Sequence, residues 1–222
     1  MIKHRVIRAI EETGIIAIVR GTKPEEVLPV ARALYEGGIR VLEVTCNSAG
    51  YLSSIEALNA ELGDRMWIGA GTVINPVMAQ LVMDAGANFV LSPDFNPQVV
   101  SMVHEKQKLM IPAVVTPSEI LQACRLGVDL LKLFPANGLG VSYLKELQGP
   151  LNNLSIIPVG GVTLNNVADF AQAGAFAVGV GSELINKTLI ASGDWQELTQ
   201  LAGKFIQRFR ENKKRDTCSY PN

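Results

Sequence analysis

The residues that usually mark a metal or thiol site are scarce: 222 residues contain two histidines, three cysteines and 6% aromatics. Cys46, Cys124 and Cys218 are far apart and show neither metal-ligand spacing nor a disulfide framework, which fits the reducing cytoplasm. His4 and His104 both fall in helical segments. That argues against a Cys–His nucleophile and a histidine-based metal centre. The formal charge is −1, so no basic footprint for nucleic acid or an anionic membrane exists. Apolar stretches such as "GIIAIV" are far shorter than the roughly 20 residues of a membrane span. The amphipathic start "MIKHRVIRAIEETG" carries acids and lacks the apolar core and cleavage site of a secretory signal. These features predict a cytoplasmic protein with a small-molecule partner.

Aliphatic residues are abundant, and there are 20 glycines. Short apolar runs recur at roughly 20 to 27 residues, each followed by an amphipathic helical segment. The predicted strands are Ile15–Arg20, Val41–Thr45, Trp67–Ala70, Phe89–Ser92, Met110–Val114, Leu130–Phe134, Ser155–Pro158 and Ala175–Val180. Between them, "TKPEEVLPVARALYEGG", "NPVMAQLVMDAGA", "TPSEILQACRLG" and "TLNNVADFAQAGA" begin with capping residues and end at glycine. Pro29 should kink or crowd the first turns of its helix. Repeated βα units imply a parallel sheet. No dinucleotide-binding glycine fingerprint follows the first strand, and eight evenly spaced units fit a closed (β/α)8 barrel, a TIM barrel, better than an open doubly wound sheet. The N-terminal helix would cap the bottom. Residues 1–210 form one barrel domain in this reading, and residues 211–222 form a polar, solvated tail.

Barrel sites lie at the C-terminal ends of the strands. There the sequence offers Arg20, Glu43, Thr72, Ser92, Thr116, Lys132, the Gly160–Gly161 turn and "GVGS" at 179–182. Alternation puts Leu130, Lys132 and Phe134 on one face of their strand, and Val41, Glu43 and Thr45 on one face of theirs. An unpartnered ammonium against the outer helices would be very unfavourable, so Lys132 should point inward. Two readings follow: a buried structural ion pair with Glu43, or an imine-forming lysine with a carboxylate that moves protons. Arg20 could clamp a carboxylate or make a rim ion pair with Glu43. Phe134 and Pro135 could wall the pocket, although Phe134 is equally suited to the core. The glycine turns after the last two strands have the chemistry of a phosphate site, or are ordinary turns.

Taken together, "AIVR", "VLEVT", "GAGTV", "LSP", "IPAVVTPSEI", "LKLFP", "VGGVT" and "VGVGS" resemble the class I 2-keto-3-deoxy-6-phosphogluconate / 4-hydroxy-2-oxoglutarate aldolases, from about residue 5 to about residue 210. The resemblance implies a trimeric (β/α)8 barrel without a metal or cofactor. It assigns the Schiff base to Lys132, the acid/base role to Glu43 and pyruvate binding to Thr72. Phe134 would pack on the pyruvyl group, and Gly160, Gly161, Gly181 and Ser182 would contact phosphate. Three positions depart from the family's common pattern: Asn47 replaces an arginine, Val159 a threonine, and Ala113 a glycine. Arg20, Asn47–Ser48 and Val159 together look more like the relatives that cleave 6-phosphogalactonate.

The activity this implies is retro-aldol cleavage to pyruvate and glyceraldehyde 3-phosphate, or to pyruvate and glyoxylate from the shorter substrate. The sequence also leaves room for a sugar-phosphate epimerase, although no second carboxylate opposes Glu43. A non-catalytic barrel that binds a phosphorylated acid is the third reading.

Overall fold

The computed structural model describes residues 1–213. Its strands are β1 (Ile15–Val19), β2 (Val41–Thr45), β3 (Trp67–Gly71), β4 (Phe89–Leu91), β5 (Leu109–Ile111), β6 (Ala113–Val114), β7 (Leu131–Leu133), β8 (Ile156–Pro158) and β9 (Val178–Val180). All strand pairs are parallel. One sheet runs in the order β5-β4-β3-β2-β1-β9, the other β6-β7-β8. The result is an α/β fold whose parallel sheet curves into a half-barrel, with helices packed on the convex side. A single bridge pairs Val159, just past β8, with Gly179 of β9.

The fifth expected strand is two short strands, β5 and β6, separated by Pro112. Proline has no N–H for the ladder and disfavours a continuous run. The chain re-enters where the Ala113 N–H donates to the Asp94 carbonyl at 3.2 Å, and the Pro112 carbonyl accepts from Lys132 N at 2.9 Å. Other expected strands are trimmed at their ends: β1 stops at Val19, β7 is three residues long, and β9 begins at Val178 rather than Ala175. The third is longer than expected by one residue, Gly71.

Side-chain caps start several helices, although α2 (Pro24–Glu36) follows Lys23 and not the expected Thr22. In α4 (Pro76–Asp84), Asn75 accepts from Met78 N at 2.9 Å, and in α5 (Pro97–Glu105) Asn96 accepts from Gln98 N at 2.9 Å. A full capping box joins Thr116 and Glu119 at the start of α6 (Pro117–Arg125). Each of these helices opens on a proline, which suits the first turn because no intrahelical donor is lost there. The helix α2 (Pro24–Glu36) runs on through Pro29. The last helix, α10 (Trp195–Asn212), continues two residues beyond the expected end of the domain. Of the expected tail, residues 214–222 lie outside the described residues, as does Cys218.

Alternation sorts the strand side chains into two apolar clusters. Leu42, Val44, Ile68, Ala70, Leu131 and Leu133 pack outward with the helices. Ile16, Ile18, Val41, Phe89, Leu91, Leu109, Ile111, Leu130, Ile157 and Val159 pack on the concave side. That inner cluster is completed by Val6 and Ile10 of α1 (Ile2–Thr13), which sits against residues at the N-terminal ends of the strands. Lys3 of α1 bonds Asp129 at 2.9 Å, just before β7, and the Arg5 guanidinium lies 5.0 Å from the Trp67 ring centroid at the start of β3. The apolar plug lies at one end of the concave side, and the polar residues collect at the other.

Within the inner layer, Phe89 fills the space left by Gly69, where a Cβ would collide with its ring. Phe89→Ala should therefore cost about 3–5 kcal/mol, and Gly69→Ala about 1–3 kcal/mol by overpacking. Urea unfolding measures both, and an unchanged midpoint for either variant contradicts this packing.

Candidate active site

Glu43 occupies the concave side of β2 with no solvent exposure, between Val41 and Thr45. The neighbouring strand makes room for it. Glu43 registers with Gly69 and Thr45 with Gly71, so the two positions of β3 beside them lack a side chain. A Cβ on Gly71 would fall inside the Glu43 carboxylate itself. The "GAG" run is thus part of a strand and not a turn, and its second glycine is required for close approach. Both carboxylate oxygens are buried and have no hydrogen-bond partner among the described residues. Burial without a donor is a strong penalty on the charged form. It raises the Glu43 pKa above the ordinary carboxylate range, against an opposite pull from the positive charges of Lys132 and Arg20.

Lys132 is the middle residue of β7 and only 2% exposed. Its strand neighbours are Ala113 of β6 and Ile157 of β8. Leu131 and Leu133 join the outer cluster, whereas Leu130 and Phe134 join the inner one, so Lys132 faces inward as alternation requires. Its Nζ lies 5.0 Å from the centroid of the half-buried Phe134 ring. Among the described residues, none of the salt bridges within 4.0 Å includes Lys132 or Glu43. The two groups interact through the field across the concavity. Burial lowers the Lys132 pKa below the usual lysine value, Glu43 opposes this, and Arg20 adds to it. Burial wins for both groups, so the pair is biased toward a neutral acid and a neutral amine. A neutral amine is a nucleophile, and the acid holds a transferable proton.

Arg20 follows β1 and is exposed, yet its charge is felt by both Glu43 and Lys132. Thr72 follows β3 and adopts φ 61°, the left-handed region that a β-branched residue rarely enters. Such local strain persists where the surroundings over-determine it and is frequent at functional positions. Val159 is buried in the inner cluster next to the turn Gly160–Gly161. Gly161 has φ 72°, and a Cβ there would collide with Asn137, so only glycine fits. The Gly161 carbonyl accepts from Asn166 Nδ2 at 2.9 Å, and the Val159 carbonyl accepts from Ala136 N at 2.8 Å. Gly181 and the exposed Ser182 follow β9, adjacent to β8 through the Val159–Gly179 bridge. The two glycine turns therefore end neighbouring strands. The Gly181 carbonyl is used internally, accepting from Leu184 N and Ile185 N at 3.0 and 2.8 Å.

Cys46 stands next to Thr45, but burial and then the Glu43 charge push its thiol up to about 12, so it stays protonated. His104 lies near the last turn of α5, where Lys3 and Asp129 influence it, at the plugged end of the concave side. Among the described residues, no group of three or more His, Cys, Asp or Glu is arranged to hold a metal ion. Sequence reasoning overlooked two features. One is Gly71 as the floor under Glu43, detectable only once "WIGAG" is paired in register with "VLEVT". The other is a hydroxyl pair: Thr45 Oγ1 and Ser48 Oγ lie 3.0 Å apart, and Ser48 Oγ accepts from Gly21 N at 2.9 Å. Its signal was two hydroxyl residues two and five positions beyond Glu43.

The chain as a whole has counterparts among known proteins. A family model described as KDPG and KHG aldolase matches residues 6–201. The 2-dehydro-3-deoxy-phosphogluconate aldolase of Treponema pallidum is 36% identical over 91% of this chain and 96% of its own. A probable 2-dehydro-3-deoxy-6-phosphogalactonate aldolase of Rhizobium meliloti is 38% identical over 82% of this chain and 86% of its own. Among solved structures, the KDPG aldolase of Legionella pneumophila, with pyruvate captured as a covalent carbinolamine, superposes with a TM-score of 0.83 at 30% identity, covering 89% of this chain and 96% of that one. With a matching family model over most of its length, relatives above 30% identity and a common fold, the chain belongs to the KDPG and KHG aldolase family and is an aldolase, a carbon–carbon lyase.

Proposed function

We propose that this aldolase uses Lys132 as its imine-forming residue and cleaves 2-dehydro-3-deoxy-6-phosphogluconate, 4-hydroxy-2-oxoglutarate or both. The observation that carries this reading is the pairing of a desolvated, inward-facing Lys132 with a fully buried, donor-free Glu43. The Lys132 amine adds to the C2 ketone, Glu43 gives its proton to the departing hydroxyl, and loss of water leaves a protonated imine. Glu43, now a carboxylate and acting through a water, takes the proton of the C4 hydroxyl. The C3–C4 bond breaks, its electron pair passes into the imine to form an enamine, and the aldehyde leaves. Glu43 helps return a proton to C3, and hydrolysis of the imine releases pyruvate and regenerates the amine. The second product is glyceraldehyde 3-phosphate from the six-carbon substrate or glyoxylate from the shorter one.

Arg20 and Thr72 hold the substrate carboxylate in this scheme, and Phe134 packs on the pyruvyl group. Gly160, Gly161, Gly181 and Ser182 hold the phosphate; their position on adjacent strand ends supports this. The chemistry calls for no cofactor. The strands close as a full (β/α)8 barrel with α1 across the base; the continuity of β5 into β6 and the Val159–Gly179 bridge support closure. Residues 1–210 act as one domain, with the last helix running two residues further. The protein works in the cytoplasm as a homotrimer, in the Entner–Doudoroff route of sugar-acid breakdown.

A second substrate reading rests on Val159. This buried residue beside the phosphate turn has no hydroxyl to offer a substrate. That favours 2-dehydro-3-deoxy-6-phosphogalactonate, the epimer named for the Rhizobium meliloti relative. Assays coupled to pyruvate formation on the three candidate acids separate these readings. If Val159 governs the choice, Val159→Thr should shift the phosphogluconate-to-phosphogalactonate ratio of kcat/KM by roughly tenfold toward phosphogluconate. An unchanged ratio removes Val159 from the selection. Cleavage of none of the three acids contradicts the proposed function.

The pH dependence follows from the direction of the Lys132 shift. Only the neutral amine attacks, so activity falls as pH drops through its pKa, and that pKa lies below the ordinary lysine range. The acid limb should therefore lie below the ordinary lysine range. Because the Glu43 charge favours the ammonium, Glu43→Gln should move the limb lower still, while slowing proton transfer by about 10²–10⁴-fold. Deuterium exchange into the pyruvate methyl group, followed by NMR, reports both. A limb in the ordinary lysine range, or one that rises in Glu43→Gln, contradicts the assignment.

A further inference from the structure

We propose that Ser48 is a positioning residue: through its hydrogen bond to the Gly21 N–H it fixes the loop carrying Arg20, and so sets how tightly the site holds a keto-acid carboxylate. This inference rests on the proposed role of Arg20. Among the described residues the Arg20 side chain makes no hydrogen bond or salt bridge; what is fixed is the backbone beside it.

That backbone is tied from the neighbouring loop. Gly21 N donates to Ser48 Oγ at 2.9 Å, across 27 residues of sequence. Ser48 is itself 8% exposed and pairs with Thr45 Oγ1 at 3.0 Å, and Thr45 has no exposure. Ser48 N also donates to the Thr45 carbonyl at 3.0 Å, which holds the serine in a tight turn at the end of β2. A second contact joins the same two loops: Gly50 lies so close to Pro24 that a Cβ at position 50 would stand 2.8 Å from Pro24 Cγ. The β1 and β2 loops are therefore fastened at two points on either side of Thr22, which is itself buried.

The bond matters because Arg20 is exposed while the groups it acts on are not. A long exposed cation retains many rotamers, and each hydrogen bond that fixes its backbone reduces the freedom lost on binding an anion. Thr45 lies on the same face of β2 as Glu43, so the hydroxyl pair connects the carboxylate-bearing strand to the arginine-bearing loop. Arg20 also helps to keep Lys132 neutral.

The test measures pyruvate methyl-deuterium exchange in Ser48→Ala, Arg20→Ala and the double variant, with thermal unfolding recorded for each. Ser48→Ala should raise KM for pyruvate roughly tenfold, the size expected for one lost hydrogen bond to a half-buried N–H, and change kcat little. Ser48→Thr, which keeps the hydroxyl, should restore most of the affinity. In the Arg20→Ala background Ser48→Ala should add nothing, because the two residues act as one unit. If Ser48→Ala raises KM equally with and without Arg20, the positioning role is overturned while the carboxylate role of Arg20 stands. If Arg20→Ala leaves KM unchanged, the carboxylate role itself fails, and the Ser48 proposal with it. Should Ser48→Ala not fold, Thr45→Val tests the same chain, with a KM rise of about threefold that vanishes in the Arg20→Ala background.

Discussion

The desolvation of one carboxylate and one amine in the same concavity is the constraint on which the rest of this structure depends. Glu43 and Lys132 are both withdrawn from water, and no salt bridge within 4.0 Å joins them among the described residues. In such surroundings two full charges are unfavourable, and the burial of each pushes it toward its neutral form. A structural ion pair would gain from direct contact and from hydrogen bonds to its carboxylate, and Glu43 has neither. The arrangement stabilises the fold poorly and suits proton transfer well. Its surroundings follow from it: glycines at the two β3 positions beside Glu43 and Thr45, an apolar layer around Phe89, and a plug of α1 at the far end.

Most of this was legible in the residues. Alternation alone put Lys132 with Leu130 and Phe134, and Glu43 with Val41 and Thr45, because strand periodicity is two wherever the strand lies. Helix starts were equally readable, since Asn75, Asn96 and Thr116 each precede a proline and satisfy the first free N–H groups locally. What could not be read was whatever depends on pairing between distant segments. Strand five breaks at Pro112 because its ladder must pass a residue without an N–H. The reason for Gly71, the Glu43 side chain, lies 28 residues earlier and meets it only in register. The Ser48–Gly21 bond is likewise invisible without the loops side by side.

The rim of the site is built differently from its floor. Glu43 and Lys132 stand on strands, whose positions the sheet ladder fixes. Arg20, Thr72, the Gly160–Gly161 turn and Ser182 stand on the connections that follow strands. A family that keeps one bond-breaking reaction while varying the acid it accepts can hold the first group constant and vary the second. Val159 and Asn47 lie at this boundary, at the end of β8 and in the loop after β2. The chemistry is thus readable from the floor, and the choice of substrate is a question about the rim.

The central claim is that Lys132 is the amine that captures the keto acid. Incubation with pyruvate and borohydride, followed by peptide mass spectrometry, tests it most directly. The account predicts a reduced pyruvyl adduct on Lys132 alone, formed near neutral pH and absent in Lys132→Arg. An unmodified Lys132, or an adduct carried by another lysine, would contradict it.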